Sequence, residues 1–294
     1  MISYTRCICA VAAVAGFLGC DRPEATVALA RDDFGQAVSV DRVPARIVSL
    51  NPATTEILFT IGAGSRLVGR STYDLWPDSA RFVPALGDAI RPNVEVVLAT
   101  RPDLVILYAS EDNRGPAERF RAAGVSTLSL KIDHISDFRR ATALLGVIMR
   151  DSARAQVVID SVYRSLERVR VSSAALPHPS VFWHIWDAPL ITIGRGSFMN
   201  ELIDIAGGRN IYADIAGPSS SVSLEDVAKR NPDFILAGPI GAATIRKDPR
   251  WRIVRAAREG RVLVVDTTVV ARPSVRLGEA AVSLAQLLHS QATK

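Results

Sequence analysis

Short apolar runs alternate with stretches of helical period along most of the chain. Residues 45–50 (ARIVSL), 103–108 (DLVILY) and 125–130 (VSTLSL) are short and apolar, which is typical of buried strands. The stretches between them, such as residues 54–61 and 114–123, space their apolar positions as amphipathic helices do. This alternation predicts an α/β fold built on parallel sheets.

Polar residues ahead of these stretches predict where the helices begin. Thr54 or Thr55 is the expected cap of the first helix, and Ser136 that of the helix at residues 137–149. Ser197 is the expected cap of the helix FMNELIDI. The segment GRGSF at 194–198 therefore predicts either a tight turn with this cap or an anion site made of backbone amides.

A long helix is predicted in the middle of the chain. Asp151 or Ser152 can cap a run that continues to about residue 171 and spans roughly 30 Å at 1.5 Å per residue. Its apolar positions are four, four and three residues apart, so they share one face; they are Val158, Val162, Leu166 and Val169. The α/β alternation restarts after the Pro-His-Pro segment at 177–179. We therefore expect an N-terminal lobe at 37–150, a linking helix at 151–173 and a C-terminal lobe at 178–294.

One phrase occurs twice in the chain. NVEVVLATRPDLVIL at 93–107 returns as SLEDVAKRNPDFILA at 223–237, with Glu95 and Glu225 at a separation of 130 positions (225 − 95). Each copy has a polar cap, a first-turn glutamate, a helix, a Pro-Asp turn and a buried strand. The repetition predicts two lobes of similar construction.

The first twenty residues have the character of a secretory signal. An apolar segment at 7–18 follows Arg6, is too short to span a bilayer and ends in FLGC, which resembles the lipobox of bacterial lipoproteins. The three cysteines are Cys7, Cys9 and Cys20, so no cysteine follows this segment. We expect a signal peptide at 1–20, lipidation of Cys20 and a tether at 21–36, which would anchor the protein at the membrane on the periplasmic, cell-envelope side. A plain signal peptide or a buried N-terminal strand are the alternatives.

Composition excludes several classes of function. The chain is 48% hydrophobic and 22% charged, enough for a packed core. Its net charge of +5 is spread without a run of five like charges, so we expect no nucleic-acid partner. The four histidines form no HxH, HxxxH or HExxH pattern, and GxSxG, Walker and GxGxxG motifs are absent from the sequence. We expect neither an enzyme nor a resident metal or cofactor, with His184 as the only histidine that a cleft metal could reach.

Several stretches together resemble a known family. They are RIVSLNPATTEILFTIGAGSRLVGRS, STYDLWP, NVEVVLATRPDLVI, WDAPLITIGRGSFMNELIDIAGGRNIY, SLEDVAKRNPDFIL and ARPSVRLGEAAVSLAQLL. In order and spacing they are similar to the periplasmic substrate-binding proteins of ABC importers for cobalamin, iron-siderophores and haem, and most of all to the cobalamin-binding branch. The resemblance implies two Rossmann-like lobes with central parallel-rich sheets, joined by one long rigid helix.

The resemblance also implies a function. The protein would act as a monomer, capture a small-molecule metal chelate, foremost the corrinoid cobalamin, in the cleft between its lobes, and deliver it to an ABC permease dimer at the inner membrane. A ferric siderophore or haem is the alternative ligand. A metal-dependent enzyme on the same architecture is the alternative from another class.

The resemblance further implies particular ligand contacts. They are Ala53, Tyr73, Trp76, Tyr108, Trp186, Thr268, Val269, Val270, Ala271 and Arg272. Aromatic faces suit a large flat ligand, and a guanidinium suits a phosphate, carboxylate or amide oxygen. Positions that are aromatic in the cobalamin-binding branch are here Ala89, Ile185, Ile191 and Ser219, which keeps the alternative ligands open. The other interpretation is that the rings are half-buried packing residues and Arg272 a surface arginine.

Glu95 and Glu225 match the two glutamates with which the family docks onto permease arginines. Two carboxylates on two similar lobes suit a permease of two subunits, since symmetry repeats the contact. The alternative is that each only stabilises its own helix N-terminus, an effect of about 0.3–1 kcal/mol.

Overall fold

The computed structural model describes residues 30–38 and 42–290. Cys20, the predicted signal peptide and the first part of the predicted tether lie outside the described residues. The N-terminal lobe runs through β1 (Ala30–Arg31), β2 (Ala37–Val38), β3 (Ile47–Ser49), α1 (Pro52–Thr60), β4 (Leu67–Arg70), α2 (Val94–Ala99), β5 (Leu104–Tyr108), α3 (Glu111–Ala122), β6 (Ser126–Leu130) and α4 (Ile135–Ile148).

The linking helix is α5 (Ser152–Ser173), capped by the side chain of Asp151 as predicted. The C-terminal lobe then runs through β7 (Ser180–His184), β8 (Trp186–Asp187), β9 (Leu190–Ile193), α6 (Phe198–Ile205), β10 (Arg209–Asn210), β11 (Ser219–Ser221), α7 (Leu224–Arg230), β12 (Phe234–Ala237), α8 (Pro239–Lys247), α9 (Arg255–Arg258), β13 (Val262–Val264), α10 (Thr267–Val270) and α11 (Leu277–His289).

The two main sheets have the same topology. The N-terminal sheet has the order β4-β3-β5-β6 and the C-terminal sheet the order β10-β7-β12-β13, with all neighbours parallel. In each lobe the first strand thus lies between the second and the third. This order creates a switch point, where the connections leave in opposite directions and a crevice opens at the carboxyl ends of the strands. The predicted α/β fold with two parallel-sheet lobes is confirmed.

A continuous core joins the lobes through the linking helix. The predicted apolar face of α5 is buried, and its residues pack in one cluster with side chains of both sheets and with α1, α4, α6 and α11. Alternate strand residues point the other way, into a separate cluster in each lobe, so each main sheet is covered on both faces. A helix buried against both lobes in this way resists their relative rotation.

The repeated Pro-Asp fastens the third strand of each sheet to the start of the first. The Asp103 carboxylate accepts the backbone N–H groups of Ala45 and Arg46 at 2.8 and 3.0 Å, just ahead of β3. In the other lobe, the Asp233 carboxylate accepts the N–H and hydroxyl of Ser180, the first residue of β7, at 2.9 and 2.7 Å. The phrase recurs because both sheets need this connection.

Two predicted helix caps are wrong. Asn51, not Thr54 or Thr55, caps α1 by accepting the Ala53 N–H, because Pro52 already supplies the first helical position. The helix α4 begins at Ile135, ahead of Ser136, because the Asp137 carboxylate accepts the N–H group of His134 at 3.0 Å.

The start of the N-terminal lobe also lies earlier than the predicted boundary at 37. The strands β1 and β2 form an antiparallel hairpin around a tight turn. In that turn, the buried Asp32 carboxylate accepts the N–H groups of Phe34, Gln36 and Ser129, which fastens the turn to β6. The described residues of the predicted tether therefore belong to the lobe.

Candidate functional site

The loops that follow the parallel strands of one lobe face those of the other. The Phe198 N–H, at the start of α6, donates to the carbonyl of Asp133, which follows β6, at 2.9 Å. The Arg272 guanidinium, which follows α10, donates to the carbonyl of Tyr73, which follows β4, at 3.0 Å. The space between these two sets of loops is the cleft. It lies where both switch points open.

Tyr73 stands in a firmly held loop on the N-terminal wall of the cleft. Tyr73 is 53% exposed, and its backbone N–H donates to the Ser71 hydroxyl. The neighbouring Asp74 is buried and accepts the hydroxyls of Ser71 and Thr55 at 2.5 and 2.6 Å. Burial raises the pKa of Asp74 above its ordinary value, against the effect of these hydrogen bonds. The loop thus presents an exposed ring on a rigid base.

The other predicted contacts of this lobe are less exposed. Trp76 is half-buried, with the Arg276 guanidinium 5.6 Å from its ring centroid. Tyr108 is half-buried and donates its hydroxyl to Asp133 at 2.6 Å; burial and this carboxylate raise the pKa of Tyr108. Ala53 is buried in the first turn of α1. The Trp76 ring face and the Tyr108 hydroxyl are therefore engaged within the protein.

The C-terminal wall contains a pocket of about 370 Å³. Its lining includes Trp186, Met199, Ile240, Val270 and Ala271. Trp186 is 62% exposed and is held by a hydrogen bond from its indole N–H to the Ala188 carbonyl at 3.2 Å. An apolar pocket beside an exposed indole suits an apolar, planar part of a ligand.

His184 lies at the inner end of this pocket. It is buried, its Nε2 lies 2.9 Å from the Asp187 carboxylate, and its ring meets the edge of Trp251. Gly241 lies against the other ring nitrogen: a Cβ there would be 2.5 Å from Nδ1. The imidazole is thus enclosed by packing and one hydrogen bond, as expected of a structural histidine.

The segment 268–272 divides between core and cleft. Val269 and Val270 are buried in the core that joins the lobes, with Val270 also forming part of the pocket lining, whereas Thr268 and Ala271 are exposed. Thr268 donates its hydroxyl to Asp266 at 2.7 Å, which caps α10. Only part of this predicted ligand loop therefore presents side chains to the cleft.

Arg272 is bound to the opposite lobe. Its guanidinium lies 3.3 Å from the carboxylate of Glu56, a buried residue of α1, as well as on the Tyr73 carbonyl. The hydroxyl of Ser274 donates to the same carboxylate. Burial raises the pKa of Glu56, an effect that Ser274 and Arg272 oppose.

The GRGSF segment is a turn rather than an anion site. The N–H groups of Gly194, Arg195 and Gly196 donate to backbone carbonyls of residues 215–218 at 2.9–3.3 Å. Ser197 caps α6 as predicted, accepting the Met199 N–H. With these amides engaged, an anion finds no free donors there.

Glu95 and Glu225 are both exposed in the first turns of α2 and α7, as predicted. Helices that precede a parallel strand start at the edge where the previous strands end, so both first turns belong to the cleft side of their lobes. Arg119 pairs with Glu95 at 2.5 Å, while no ion pair of Glu225 occurs within the described chain. Their docking role stays a prediction.

Several site residues were not predicted. Met199 and the start of α8, at 238–241, line the pocket, and Glu56 and Ser274 join the lobes. The start of α8 could have been predicted, because Gly238 and Pro239 directly follow a buried strand and proline favours the first position of a helix. Nothing in the local pattern marks Glu56, because its partner is 218 positions away.

The described residues offer neither a metal-ligand cluster nor a membrane-spanning helix. In the parts of the chain that the structure describes, no three His, Cys, Asp or Glu side chains gather in a way that could hold a metal ion. Across residues 30–38 and 42–290, none of the helices combines the length and apolar character needed to cross a membrane.

Comparison with known proteins identifies relatives. Over 271 residues the chain is 28% identical to an uncharacterized ABC transporter substrate-binding lipoprotein of Bacillus subtilis (strain 168), covering 90% of this chain and 86% of the relative. Over 281 residues it is 26% identical to the cobalamin-binding protein of Halobacterium salinarum, covering 88% and 73%.

Solved structures share the fold. The periplasmic vitamin B12 binding protein BtuF of Vibrio cholerae superposes with a TM-score of 0.75 at 23% identity, covering 86% of this chain and 99% of that protein. A periplasmic haem-binding protein from Pseudomonas aeruginosa superposes with a TM-score of 0.76 at 25% identity, covering 84% and 93%.

A family assignment agrees with these likenesses. Residues 47–268 match the family described as periplasmic binding protein, which is most of the chain. The match spans both lobes and the linking helix. The chain belongs to the periplasmic binding protein family, whose members bind solutes for transport and are not enzymes.

Proposed function

We propose that the protein captures a corrinoid in its cleft and delivers it to the permease of an ABC importer. The observation that carries the proposal is a pair of exposed aromatic residues, one on each wall of the cleft. Tyr73 is 53% and Trp186 62% exposed; a backbone hydrogen bond holds the Tyr73 loop, and an indole hydrogen bond holds the Trp186 ring. Exposed rings on held loops on both sides suit a large flat ligand, because little backbone freedom is lost when it binds.

Named relatives are the reason the corrinoid is proposed first. The cobalamin-binding protein of Halobacterium salinarum matches most of this chain, and the B12 binding protein of Vibrio cholerae has the same fold. The permease partner is supported by the ABC substrate-binding lipoprotein of Bacillus subtilis. Exposed Glu95 and Glu225 on the two lobes supply the carboxylates for docking onto permease arginines.

Haem is the second candidate ligand, and a specific observation favours it. The Tyr73 phenol lies on an exposed residue at the cleft, and tyrosine is one of the side chains that hold haem iron. A haem-binding protein is also among the proteins with the same fold. A ferric siderophore remains a third candidate of the same chemical class.

The deciding experiment is a titration of the purified protein with cyanocobalamin, haemin and a ferric siderophore, followed by tryptophan fluorescence and absorbance. We expect cyanocobalamin to bind, and Trp186→Ala to weaken it about tenfold, since aromatic contacts are worth about 0.5–1.5 kcal/mol beyond burial. Val157→Ala, on the exposed face of the linking helix, is the control. Saturable binding of haemin or of the siderophore alone would make the corrinoid assignment wrong.

Tyr73→Phe separates the two leading ligands. It keeps a ring for stacking and removes only the phenol oxygen. Corrinoid binding should therefore survive this change, whereas a haem bound through the phenolate should lose that iron ligand, so its affinity should fall and its absorption spectrum should shift.

We further propose that lipidation of Cys20 anchors the protein to the membrane on the periplasmic side. The lipobox-like FLGC segment and the lipoprotein relative support this. Cys20→Ala should move the protein from the membrane fraction to the soluble fraction. An unchanged membrane fraction would contradict the anchor.

A further inference from the structure

One segment of the C-terminal lobe reaches across the cleft floor to the N-terminal lobe. We call its contacts the cross-lobe clamp. The clamp comprises Arg272, Ser274 and Arg276 on one side, and Glu56, the carbonyl of Tyr73 and the ring of Trp76 on the other. These contacts join residues about 200 positions apart in sequence, so they exist only in the folded, two-lobed protein.

Glu56 is the centre of the clamp. It is buried within α1, and its two carboxylate oxygens are shared out between Arg272 and Ser274, both from the other lobe. A buried carboxylate with one partner removed is strongly unfavourable, so the two lobes are constrained to keep these groups together. The Glu56 carboxylate thereby fixes the position of the Arg272 guanidinium.

The second arm of Arg272 fixes the loop that carries Tyr73. One guanidinium nitrogen is on Glu56 and another donates to the Tyr73 carbonyl at 3.0 Å. On the opposite side of the loop, Asp74 is fastened to Thr55 of its own lobe. The backbone at Tyr73 is therefore held from both lobes at once, while its ring remains exposed.

Arg276 extends the same arrangement to Trp76. Its guanidinium is oriented by two hydrogen bonds to Glu279, at 2.8 and 2.7 Å, and lies over the Trp76 ring. A guanidinium at this distance attracts the ring face. Both ends of the aromatic segment 73–76 thus contact arginines of the other lobe.

We propose that Arg272 is a positioning residue: through Glu56 and the Tyr73 carbonyl, the C-terminal lobe sets where the Tyr73 ring stands on the N-terminal wall. The inference deepens the proposed function, on which it rests in so far as Tyr73 touches the ligand. It differs from the interpretation in which the Arg272 guanidinium itself binds ligand.

A matched control lies elsewhere between the lobes. Glu201 of α6 is 2.9 Å from the ring nitrogen of His134 and accepts the Ile135 N–H at 3.3 Å. This bridge also joins the lobes but involves no residue of the 71–76 loop. Glu201→Ala, which removes this acceptor, therefore reports what loosening the lobes does without touching Tyr73.

The first test needs no ligand. Hydrogen–deuterium exchange of the purified full-length protein should be measured over residues 71–76, whose N–H groups at Thr72, Tyr73 and Asp74 are bonded within the lobe. We expect Arg272→Ala to accelerate exchange there about tenfold, the effect of losing about 1.4 kcal/mol of hydrogen bonding. Unchanged exchange, or an equal acceleration in Glu201→Ala, would overturn the proposal.

The second test adds cyanocobalamin and haemin as probes. If Arg272 is a positioning residue, Arg272→Lys should bind whichever probe the wild-type protein binds about as weakly as Arg272→Ala does. The reason is that one ammonium cannot hold Glu56 and the Tyr73 carbonyl in the planar geometry of a guanidinium. Recovery of affinity in Arg272→Lys while exchange at 71–76 stays fast would show a direct charge contact instead. If neither probe binds, the proposed function fails while the exchange test still decides the clamp.

A second variant tests the proposal if Arg272→Ala does not fold. The double variant Glu56→Gln/Arg272→Met leaves no unpaired buried charge and keeps similar side-chain volumes. It also lacks the donor to Tyr73, so faster exchange at 71–76 is again expected. Protected amides in a folded double variant would overturn the proposal.

Discussion

The two lobes share a scaffold but differ in what they add to it. Both have the same strand order, a polar cap ahead of the helix before the third strand, and a Pro-Asp that fastens that strand to the first. Even the backbone agrees: Arg101 and Asn231, 130 positions apart, both have positive φ, at 50° and 47°. The repeated phrase therefore specifies the scaffold of each lobe.

The differences lie in the loops at the cleft. The C-terminal lobe adds a small antiparallel sheet of order β11-β9-β8, which carries Trp186. The N-terminal lobe instead buries two carboxylates at this wall, Asp74 within the Tyr73 loop and Glu56 in α1. Unequal walls suit an asymmetric ligand, whereas the similar first turns of α2 and α7 suit a partner with two similar subunits.

The largest expected effect concerns that partner. If the proposed docking role is right, the double reversal Glu95→Lys/Glu225→Lys abolishes transport, because attraction to permease arginines would become repulsion, a change of several kcal/mol. Among single variants, Glu225→Lys should be the more damaging, since Arg119 already offsets the Glu95 charge. Uptake by cells and binding to the purified permease are the measurements.

The control for the docking variants is a double reversal away from the lobe ends. Asp160→Lys/Glu167→Lys changes two exposed acids on the linking helix by the same total charge. Uptake should persist in this variant. Intact uptake in the Glu95/Glu225 double variant would reduce both glutamates to helix-stabilising residues.

The next effect compares the two Pro-Asp connections. Asp233→Ala should lower the free energy of unfolding by about 3 kcal/mol and Asp103→Ala by about 2 kcal/mol, since each loses charged hydrogen bonds worth about 1.5–3 kcal/mol. Asp233 has the greater expected effect because Arg255 also donates to it, at 3.1 Å. Urea denaturation measures both, and equal losses would contradict the ranking.

Acid should weaken the Asp233 connection. Burial raises the pKa of Asp233, but its bonds to Ser180 and Arg255 outweigh this and lower the pKa overall. A lowered folded-state pKa stabilises the protein above the ordinary value of 3.8, and this stability disappears as the pH falls through the folded value. The loss caused by Asp233→Ala should therefore be smaller at pH 3 than at pH 7.

The scaffold could be predicted from sequence because its signals are local. Apolar runs marked β5 and β12, and the spacing of Val158, Val162 and Leu166 marked the buried face of the linking helix. Caps were less predictable: Asn51 and Thr54 are equally suitable by type, and only the fold decides between them. The hairpin at 30–38 was not predicted, because its main contact joins Asp32 to Ser129, 97 positions away along the chain.

The site was predictable only in outline. Exposed Tyr73 and Trp186 follow apolar strands, where a cleft forms in such folds, and the resemblance pointed to both. The partners of Arg272 could not be predicted, because a charge 216 positions from Glu56 carries no local sign of its contact. Local patterns therefore predicted which segments line the cleft, and long-range contacts decided which of their side chains are available to a ligand.

A pH experiment tests the contrast between a buried carboxylate in one lobe and a buried amide in the other. Asp74→Asn gives the N-terminal lobe a neutral amide, as the C-terminal lobe has at buried Asn210. Because burial raises the pKa of Asp74, the wild-type protein should gain stability as the pH falls from 7 toward 3.8, by about 1.4 kcal/mol for each unit of the shift. The Asn variant should lack this gain. Parallel stability curves from pH 7 down to 3.8 would contradict it.

The smallest expected effect concerns the backbone position that both lobes share. Asn231 ends α7 in the left-handed conformation, which asparagine tolerates, whereas Arg101 holds a similar conformation after α2 with a long side chain. Arg101 is exposed, so its replacement disturbs no core packing. Arg101→Asn should therefore raise the free energy of unfolding by about 0.5–1 kcal/mol.

The reciprocal change is the control for this last effect. Asn231→Arg should destabilise the protein by more than Arg101→Asn stabilises it, because it also removes the hydrogen bond from Arg255 to the Asn231 side chain, 3.0 Å long. Urea denaturation of the two single variants and of the double exchange gives the comparison. If Arg101→Asn leaves the midpoint unchanged, the arginine is held there without strain, and the interactions of Arg46 with the carbonyls of Thr100 and Arg101 would be the reason.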